Sequence, residues 1–283
     1  MGKGTLYLCA TPIGNLEDIT LRVIRALGEA DYIIAEDTRH TLKLLNHLNI
    51  TKPLISYHKY SDMKRAEEIL SLLEAGNEIA LVSDAGMPGI SDPGEDLVRL
   101  AYERDIPVTI LPGATAGLSA LVLSGLPGGR FVFEGFLPRG KKEAERILAL
   151  LQSEERTTIL YEAPHRLMGT LNELYKALGD RRISVVRELT KIHEEVLRFS
   201  LKEAIEHFSI NKPRGEFVLV VEGKEDRGED NAFDNISIRD HILEYMEAGM
   251  VKKAAVRQVA EDRSLPKSQV YRHSIDLPLK VGD

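Results

Sequence analysis

The sequence predicts an α/β protein in which two α/β domains are followed by a small helical module. Short apolar segments of strand type alternate with amphipathic segments of helix type from the N-terminus onward. The first strands are apolar along their whole length, which is typical of a parallel sheet covered on both faces. After Pro112-Gly113 this regular alternation of strand-type and helix-type segments ends. Two later strands lie close enough in sequence for antiparallel pairing.

The first predicted domain spans residues 1–111 and alternates five strands with four helices. The predicted strands are Thr5–Ala10, Tyr32–Ala35, Leu54–Tyr57, Glu78–Ser83 and Val108–Leu111. The predicted helices are Ile19–Gly28, Thr38–Leu48, Asp62–Ala75 and Glu95–Arg104. This alternation predicts a mostly parallel sheet.

The second predicted domain spans residues 112–224, with a hinge near Leu111-Pro112 and a mixed sheet. The predicted strands are Phe131–Phe136, Thr157–Glu162, Ile183–Arg187, Glu195–Phe199 and Glu216–Glu222. The small-residue segment Ala114–Ala120 suits a closely packed helix, and further helices are predicted at Lys141–Gln152, His165–Leu178 and Leu201–Phe208. The short segment Leu189–Glu194 predicts antiparallel pairing of the strands beside it.

The last predicted module spans residues 235–283 and follows a charged, glycine-containing linker at Lys224–Asp234. Helices at Ile238–Ala248, Val251–Glu261 and Ser268–Ser274 give it the rhythm of a helix-turn-helix. Its basic residues include Lys252, Lys253, Arg257, Arg263, Lys267, Arg272 and Lys280. A nucleic-acid contact and a solvated appendage or dimer contact are both open for this module.

Composition excludes several classes of protein. A net charge of -7 argues against general coating of nucleic acid, although a local basic patch remains compatible with it. The single cysteine, Cys9, excludes an internal disulfide and a cysteine-only zinc site. The apolar run Leu6–Ala10 is too short for a signal peptide, and no segment approaches the roughly 18 apolar residues of a membrane span. We therefore expect a soluble, cytoplasmic protein without a metal site.

The loop Ser83–Gly94 is the strongest candidate for ligand binding. It holds three glycines and two prolines in twelve residues, between a buried strand and a helix. Ligands of open α/β sheets bind at such strand ends, and Gly86 and Gly89 allow close approach to the backbone. The loop contains neither a Walker A motif nor GxGxxG, so phosphate is not the first expectation. A tight surface turn is the alternative interpretation.

Other polar loops follow predicted strands in both domains. Those of the first domain are Ala10–Asp18, Ala35–Arg39 and Ser56–Lys59, and those of the second are Phe136–Arg139, Tyr161–Arg166 and Arg187–Glu195. Each alone fits an ordinary capped or salt-bridged loop. Together, all at strand ends, they predict a single cleft.

The order of these motifs resembles the tetrapyrrole-methylase-like S-adenosylmethionine-dependent methyltransferases. Within that family it is similar to the small-subunit ribosomal RNA 2′-O-ribose methyltransferases. The resemblance covers about residues 4–223 and rests on TPIGNLEDIT, AEDTR, SYH, SDAGMPGISDPG, PGATA, FEGFLPR, YEAPHR, VRELTKIHEE and RGEFVLVVEG. It implies a homodimeric enzyme that methylates the ribose 2′-hydroxyl of a cytidine in the decoding region of 16S ribosomal RNA. A methylase of a small tetrapyrrole and a non-catalytic nucleotide-binding regulatory module are the alternatives.

The resemblance also implies where the donor, S-adenosylmethionine, binds. Residues at positions of the family-like motifs are assigned to it, in the cleft between the two domains. They are Pro12, Ser83, Asp84, Ala85, Gly86, Pro88, Gly89, Ala114, Thr115, Ala116, Tyr161 and Gly215.

The RNA side is assigned to charged residues at the loop ends. Cations there neutralise phosphates, and the candidate substrate-binding residues are Glu36, Arg39, Lys59, Arg139, Arg166, Arg187 and Lys191. A ribose hydroxyl must also lose its proton, for which Asp37, His58 and Glu188 are the candidate bases and Glu36 a weaker one. A positional mechanism without a strict base is also open.

Overall fold

A computed structural model describes residues 2–58, 63–92, 94–224, 236–263 and 265–277. The chain forms two compact units, Met1–Lys224 and Glu225–Asp283. Within the described residues, the first unit contains two five-stranded sheets. The predicted α/β class, with a parallel first sheet and a mixed second sheet, is confirmed.

The first sheet has the strand order β3-β2-β4-β1-β5, and every pairing is parallel. Its strands are β1 (Leu6–Cys9), β2 (Tyr32–Ala35), β3 (Leu54–Ser56), β4 (Ile79–Val82) and β5 (Val108–Leu111). Helices α1 (Leu21–Glu29) and α2 (Thr38–His47) pack on one face, and α3 (Met63–Glu74) and α4 (Glu95–Glu103) on the other. The central strand β4 is buried along its whole length, which explains its unbroken apolar sequence.

The second sheet has the order β6-β7-β10-β8-β9. Its strands are β6 (Phe131–Phe136), β7 (Thr157–Glu162), β8 (Arg182–Arg187), β9 (Glu195–Ser200) and β10 (Phe217–Val221). Only β6 and β7 pair in parallel, whereas β10 is antiparallel to β7 and β8, and β9 to β8. Helix α5 (Ala116–Ser124) packs on one face, and α6 (Lys141–Ser153), α7 (Leu167–Leu178) and α8 (Leu201–Ile210) on the other.

Both sheets belong to the first unit, so the predicted division into two domains at residue 111 stays a prediction. Cys9 lies in the core of the first sheet, where burial raises the pKa of its thiol to about 12. It is therefore a small core residue there, not a reactive thiol.

The second unit contains helices α9 (Ile238–Glu247), α10 (Lys252–Asp262) and α11 (Lys267–Arg272). Their apolar sides share a small core that includes Ile242, Met246, Val256, Val259 and Val270. Most of the predicted linker lies outside the described residues. None of the described helices has the length and hydropathy needed to cross a membrane.

Candidate active site

A cleft of about 460 Å³ lies in the first unit, where loops from the two sheets meet. Because β10 runs antiparallel to β7 and β8, its first residues lie beside the last residues of those strands. The sheets thus bring six strand ends to one place. The lining residues are Ile13, Asp84, Ala85, Gly86, Met87, Ile90, Ser91, Asp92, Thr115, Ala116, Phe136, Tyr161, Glu162, Ala163, Pro164, Val186, Leu189, Glu216, Phe217 and Val218.

The first wall of the cleft, called here the backbone wall, is built around Gly86. Gly86 and Thr11 exchange two backbone hydrogen bonds, with N···O distances of 2.8 and 3.1 Å. The hydroxyl of Thr11 donates to the carbonyl of Ser83 at 3.1 Å, and the hydroxyl of Ser83 donates to the carbonyl of Gly86 at 3.0 Å. These bonds hold the loop after β4 against the loop after β1.

Only glycine fits at the centre of this wall. The φ angle of Gly86 is +85°, in the left-handed region that other residues rarely adopt. A Cβ atom there would also lie 3.2 Å from Cγ2 of Ile13. Ser91, further along the same loop, holds a φ of +64° without being glycine, which is a strained conformation. The shape of the loop therefore requires glycine at position 86 and strains the backbone at Ser91.

The opposite wall, called here the side-chain wall, is centred on Tyr161. The phenol oxygen of Tyr161 accepts a hydrogen bond of 3.1 Å from the backbone N–H of Gly117, in the first turn of α5. Its ring meets those of Phe133 and Phe136 edge to face, with centroid distances of 5.1 and 5.7 Å. Burial, with a smaller contribution from Asp92, raises the pKa of Tyr161, so its hydroxyl stays protonated at neutral pH.

Glu162 is a buried carboxylate in the side-chain wall. It accepts a 2.8 Å hydrogen bond from the N–H of Ala163 and another from the hydroxyl of Thr170. The guanidinium of Arg166 lies 3.5 Å from it and also donates to the carbonyl of Leu137 at 2.6 Å. Arg166 therefore braces the loop after β7 against the end of β6.

A charged triad is formed at the edge of the cleft by Glu188 and Lys191, in the turn between β8 and β9, and Glu216, which precedes β10. The ammonium of Lys191 is 3.0 Å from the carboxylate of Glu188 and 2.7 Å from that of Glu216. The N–H of Glu216 donates to Glu188 at 2.9 Å. Glu188 and Thr190 hold φ angles of +49° and +65°, so this turn is strained.

Glu188 and Lys191 of the triad are charged at neutral pH. Burial opposes ionisation of Glu188, but the N–H of Glu216 and the Lys191 ammonium together hold its pKa below the usual value. Burial likewise opposes protonation of Lys191, yet Glu216 and Glu188 raise its pKa. The turn also reaches the first sheet, because the N–H of Asn15 donates to the hydroxyl of Thr190 at 3.1 Å.

Carboxylates are crowded at the backbone wall. Burial, then the charges of Glu36 and Asp84, raise the pKa of Asp92 to about 6. Burial and Asp84 also raise the pKa of Glu36. Asp84 in turn accepts a 3.2 Å hydrogen bond from the backbone N–H of Asp37. A cation in the cleft would stabilise the ionised form of Asp92.

The candidate bases lie at different distances from the lining. Asp37 accepts from the backbone and guanidinium of Arg39, which hold its pKa far below the usual value, so it is a weak proton acceptor. His58 is exposed at the end of a described segment. None of the three candidate bases lines the cleft, but Glu188 bonds to Glu216, which does.

The predicted RNA-binding residues fall into two groups. Arg187, like Arg166, is engaged within the protein, since it donates to the carbonyl of Arg214 at 2.7 Å and lies 3.4 Å from Glu195. Arg39 is 87% exposed as a side chain, and Arg139 is exposed after β6. Lys59 lies outside the described residues.

The structure places half of the predicted donor-binding residues in the lining. These are Asp84, Ala85, Gly86, Thr115, Ala116 and Tyr161. The remaining six are next to lining positions or hold them in place: Pro12, Ser83, Pro88, Gly89, Ala114 and Gly215. Ten further lining residues lie in the strand-end loops that the sequence analysis predicted to form one cleft, although none of them was assigned a donor contact: Ile13, Met87, Ile90, Ser91, Asp92, Phe136, Glu162, Ala163, Pro164 and Leu189. Glu216 also lines the cleft, at the start of the last predicted strand of the second sheet. Sequence reasoning missed the apolar side chains of Val186, Phe217 and Val218. Most of these residues lie inside the sequence motifs quoted above, and their place in those motifs is the signal that could have identified them.

In the part of the chain that the structure describes, no three His, Cys, Asp or Glu side chains are grouped so as to hold a metal ion.

Comparison with known proteins gives concordant matches. A family model described as "Tetrapyrrole (Corrin/Porphyrin) Methylases" matches residues 5–205. A protein named "Ribosomal RNA small subunit methyltransferase I" from Synechocystis sp. is 50% identical over 97% of this chain and 98% of its own. One of the same name from Halalkalibacterium halodurans is 48% identical over 95% and 94%. A third, from Thermotoga maritima, is 50% identical over 222 residues, which are 78% of this chain and 100% of that protein.

Solved structures share the fold at low identity. Uroporphyrin-III-C-methyltransferase from Thermus thermophilus superposes with a TM-score of 0.56 at 19% identity, covering 80% of this chain and 98% of that one. A diphthine synthase gives a TM-score of 0.60 at 14% identity, covering 77% and 90%. At such identities the likeness concerns the fold alone.

Proposed function

This chain belongs to the tetrapyrrole (corrin/porphyrin) methylase family, and we propose that it methylates the ribose 2′-hydroxyl of a cytidine in the decoding region of 16S ribosomal RNA. It is a methyltransferase that uses S-adenosylmethionine. Relatives at 45% to 50% identity over most of the chain carry the name of a small-subunit ribosomal RNA methyltransferase. Those names favour RNA over a small tetrapyrrole and over a non-catalytic module.

The observation that carries the proposal is the cleft with one wall of backbone and one wall of side chains. Its volume of about 460 Å³ falls in the range of small-molecule sites, and its lining is largely apolar with few polar groups. The carboxylates of Asp84 and Asp92 suit a ligand with positive charge. These properties fit S-adenosylmethionine, which supplies a methyl group on a positively charged sulfur.

Each wall has a separate part in holding the donor. The backbone of Asp84–Gly86 and of Thr115-Ala116 offers hydrogen-bonding groups at a surface that a nucleoside can approach closely. Phe136 and Tyr161 offer ring faces and edges for the adenine or the sulfonium. The hydrogen bonds among Thr11, Ser83 and Gly86 hold the backbone wall in place before the donor arrives.

We assign the charged triad to the acceptor, which is the ribose hydroxyl of the RNA. In the transfer the ribose oxygen forms a bond to the methyl carbon, the sulfur–carbon bond breaks, and the hydroxyl proton leaves to a carboxylate or to water. Glu188 is the preferred acceptor of that proton, because it is joined to the lining through Glu216. Asp37 and His58 remain the other candidates. Lys191 is protonated and suited to a ribose or phosphate oxygen.

We also propose that the enzyme is a homodimer. Exposed apolar side chains at the edge strand β5 and on α5, among them Ile110, Leu118 and Val122, suit a homodimer contact. Sedimentation velocity of the purified chain tests for the dimer, and charged substitution of Val122, which is 81% exposed, should dissociate it. The enzyme is proposed to act in the cytoplasm, where small ribosomal subunits are found.

The experiment uses labelled S-adenosylmethionine and small ribosomal subunits that lack the modification, followed by nucleoside analysis. The proposal predicts label in 2′-O-methylcytidine. Label in a methylated base would reject the 2′-hydroxyl as acceptor. Donor binding without any transfer to RNA would instead favour the tetrapyrrole or the regulatory alternative.

A further inference from the structure

The residues that line the cleft described above all belong to the first unit. The Thermotoga maritima relative aligns over its entire length with 222 residues of this chain, nearly the extent of Met1–Lys224. The alignment leaves about a fifth of this chain without a counterpart in that relative, a share comparable with that of the second unit. We therefore look for a role of the second unit outside the transfer step.

The second unit presents one distinctive surface, called here the α11 surface and made of Arg257, Lys267, Ser268, Tyr271 and Arg272. All five residues are exposed. Lys267 and Tyr271, like Ser268 and Arg272, stand four residues apart, so each pair shares a side of α11. Val270, on the remaining side, is fully buried in the small core. Its burial fixes which side of the helix reaches solvent.

The α11 surface is positive although the chain as a whole is negative. Between Val251 and His273 the sequence has six basic and two acidic residues, whereas the net charge of the chain is -7. Arg257 and Lys267 line a common hollow of about 350 Å³ between α10 and α11. Arg257 also pairs with Glu261 at 3.0 Å, but this pair is exposed and hence weak.

Tyr271 adds an aromatic ring to this positive surface. It is 59% exposed and stands between the cations Lys267 and Arg272. An exposed ring among cations matches single-stranded RNA, whose bases stack on aromatic side chains while lysine and arginine neutralise phosphates.

We propose that the α11 surface binds a single-stranded or looped segment of the RNA substrate and so raises its affinity without taking part in methyl transfer. This inference rests on the proposed function, because it takes the substrate to be RNA. A second contact of this kind strengthens binding by raising the effective concentration of the RNA at the first unit.

The test compares Lys267→Glu, Arg272→Glu and Tyr271→Ala with Lys176→Glu in the full chain. Lys176 is an exposed lysine of α7 and lies outside the cleft, so it matches the charge change. Binding to small ribosomal subunits is measured across a salt series, and kcat and KM are measured for methyl transfer. We expect each α11 variant to raise Kd and KM about 3- to 10-fold while kcat stays within about twofold. The charge reversals should also reduce the log–log salt slope by about 1 each.

Two results would overturn the inference. One is binding by the α11 variants equal to that of Lys176→Glu, with folding verified by circular dichroism. The other is a loss of affinity for intact subunits but not for the protein-free RNA, which would identify a ribosomal protein as the partner. The binding measurements test the role of the α11 surface whether or not methyl transfer is observed. Absence of transfer by the unaltered enzyme would reject the proposed function instead.

Discussion

The backbone wall and the side-chain wall of the cleft are built in different ways. Around Gly86, main-chain hydrogen bonds to Thr11 fix the surface, and a side chain at that position would meet Ile13. Around Tyr161 and Glu216, the surface consists of aromatic rings and carboxylates held by other side chains. The backbone wall is therefore shaped by main-chain atoms, with the carboxylates of Asp84 and Asp92 beside them, whereas the side-chain wall is formed by side chains throughout.

From this difference we infer that main-chain groups recognise the donor and that charged side chains act on the acceptor. Main-chain groups cannot titrate and move little, so they suit the recognition of an invariant donor. We propose that side chains such as Lys191 and Glu188 provide charge for the acceptor, whose hydroxyl must be oriented and deprotonated. Substitutions that damage only the backbone wall, or only the charged triad beside the side-chain wall, should therefore separate donor binding from the rate of transfer.

Gly86→Val should have the largest effect. A β-branched residue at a φ of +85° is strained, and its Cβ atom would crowd Ile13. With a cost of about 2–3 kcal/mol placed on the donor-binding conformation, we expect donor affinity to fall about 100-fold. Calorimetric titration with S-adenosylmethionine measures it. Normal affinity in this variant would remove the backbone wall from donor binding.

Gly215→Ala should damage only the side-chain wall. Gly215 has a φ of +83°, and an added Cβ atom would lie 2.4 to 2.6 Å from side-chain atoms of Glu188. The carboxylate of Glu188 must then move away from Lys191. We expect kcat to fall about tenfold with donor affinity unchanged, which corresponds to about 1.4 kcal/mol in the barrier.

The control for Gly215→Ala is Gly169→Ala, at an exposed position of α7 where an added Cβ atom meets nothing within 4 Å. It should leave kcat unchanged. Equal losses of rate in both variants would assign the effect of Gly215→Ala to general destabilisation.

Asp92→Asn should act in opposite directions on stability and on donor binding. The folded-state pKa of Asp92, about 6, lies above its ordinary value of 3.8. Its protonated form therefore contributes stability that is fully present below pH 3.8 and is lost as the pH rises through about 6. The substitution removes the cost of the buried charge, so we expect a gain of about 1 kcal/mol at pH 7.5 and none at pH 3.5.

Urea unfolding at the two pH values measures this difference, and donor titration provides the second readout. Donor affinity should fall about tenfold in Asp92→Asn, because a carboxylate near a cationic ligand is lost. A variant that is more stable and also binds the donor normally would show that the Asp92 carboxylate has no part in donor binding.

Gly28→Ala should have the smallest effect and provides a baseline for the glycine substitutions. Gly28 is exposed in α1, and an added Cβ atom there meets nothing within 4 Å. Alanine should stabilise the protein by about 0.5–1 kcal/mol and leave activity unchanged, as measured by thermal unfolding and methyl transfer. A loss of activity would extend the functional surface beyond the cleft.

The sequence predicted the two sheets well because their strands are apolar and closely spaced. Strands β2, β5, β6 and β7 begin and end at the predicted residues. The glycine loop after β4 was also predictable, because its composition suits few other structures. These features depend on local pattern, which a sequence displays directly.

The side-chain wall was harder to predict. Glu162, Glu216 and Phe136 line the cleft because β10 runs antiparallel beside β7 and because β6 ends next to them. Asp92 owes its raised pKa first to burial and then to the charges of Glu36, which comes from the loop after β2, and of Asp84, in its own loop. Such properties depend on the arrangement of strands in space, which residue type and spacing do not specify.

A crystal structure with S-adenosylhomocysteine, the product of the donor, tests most directly whether the backbone wall binds the donor while the charged triad is left for the acceptor. We expect the product to lie in the cleft against the backbone of Asp84–Gly86 and Thr115-Ala116, without contact to Glu188 or Lys191. A product held mainly by Glu188, Lys191 and Glu216, or bound outside this cleft, would show that the backbone wall is not the donor site.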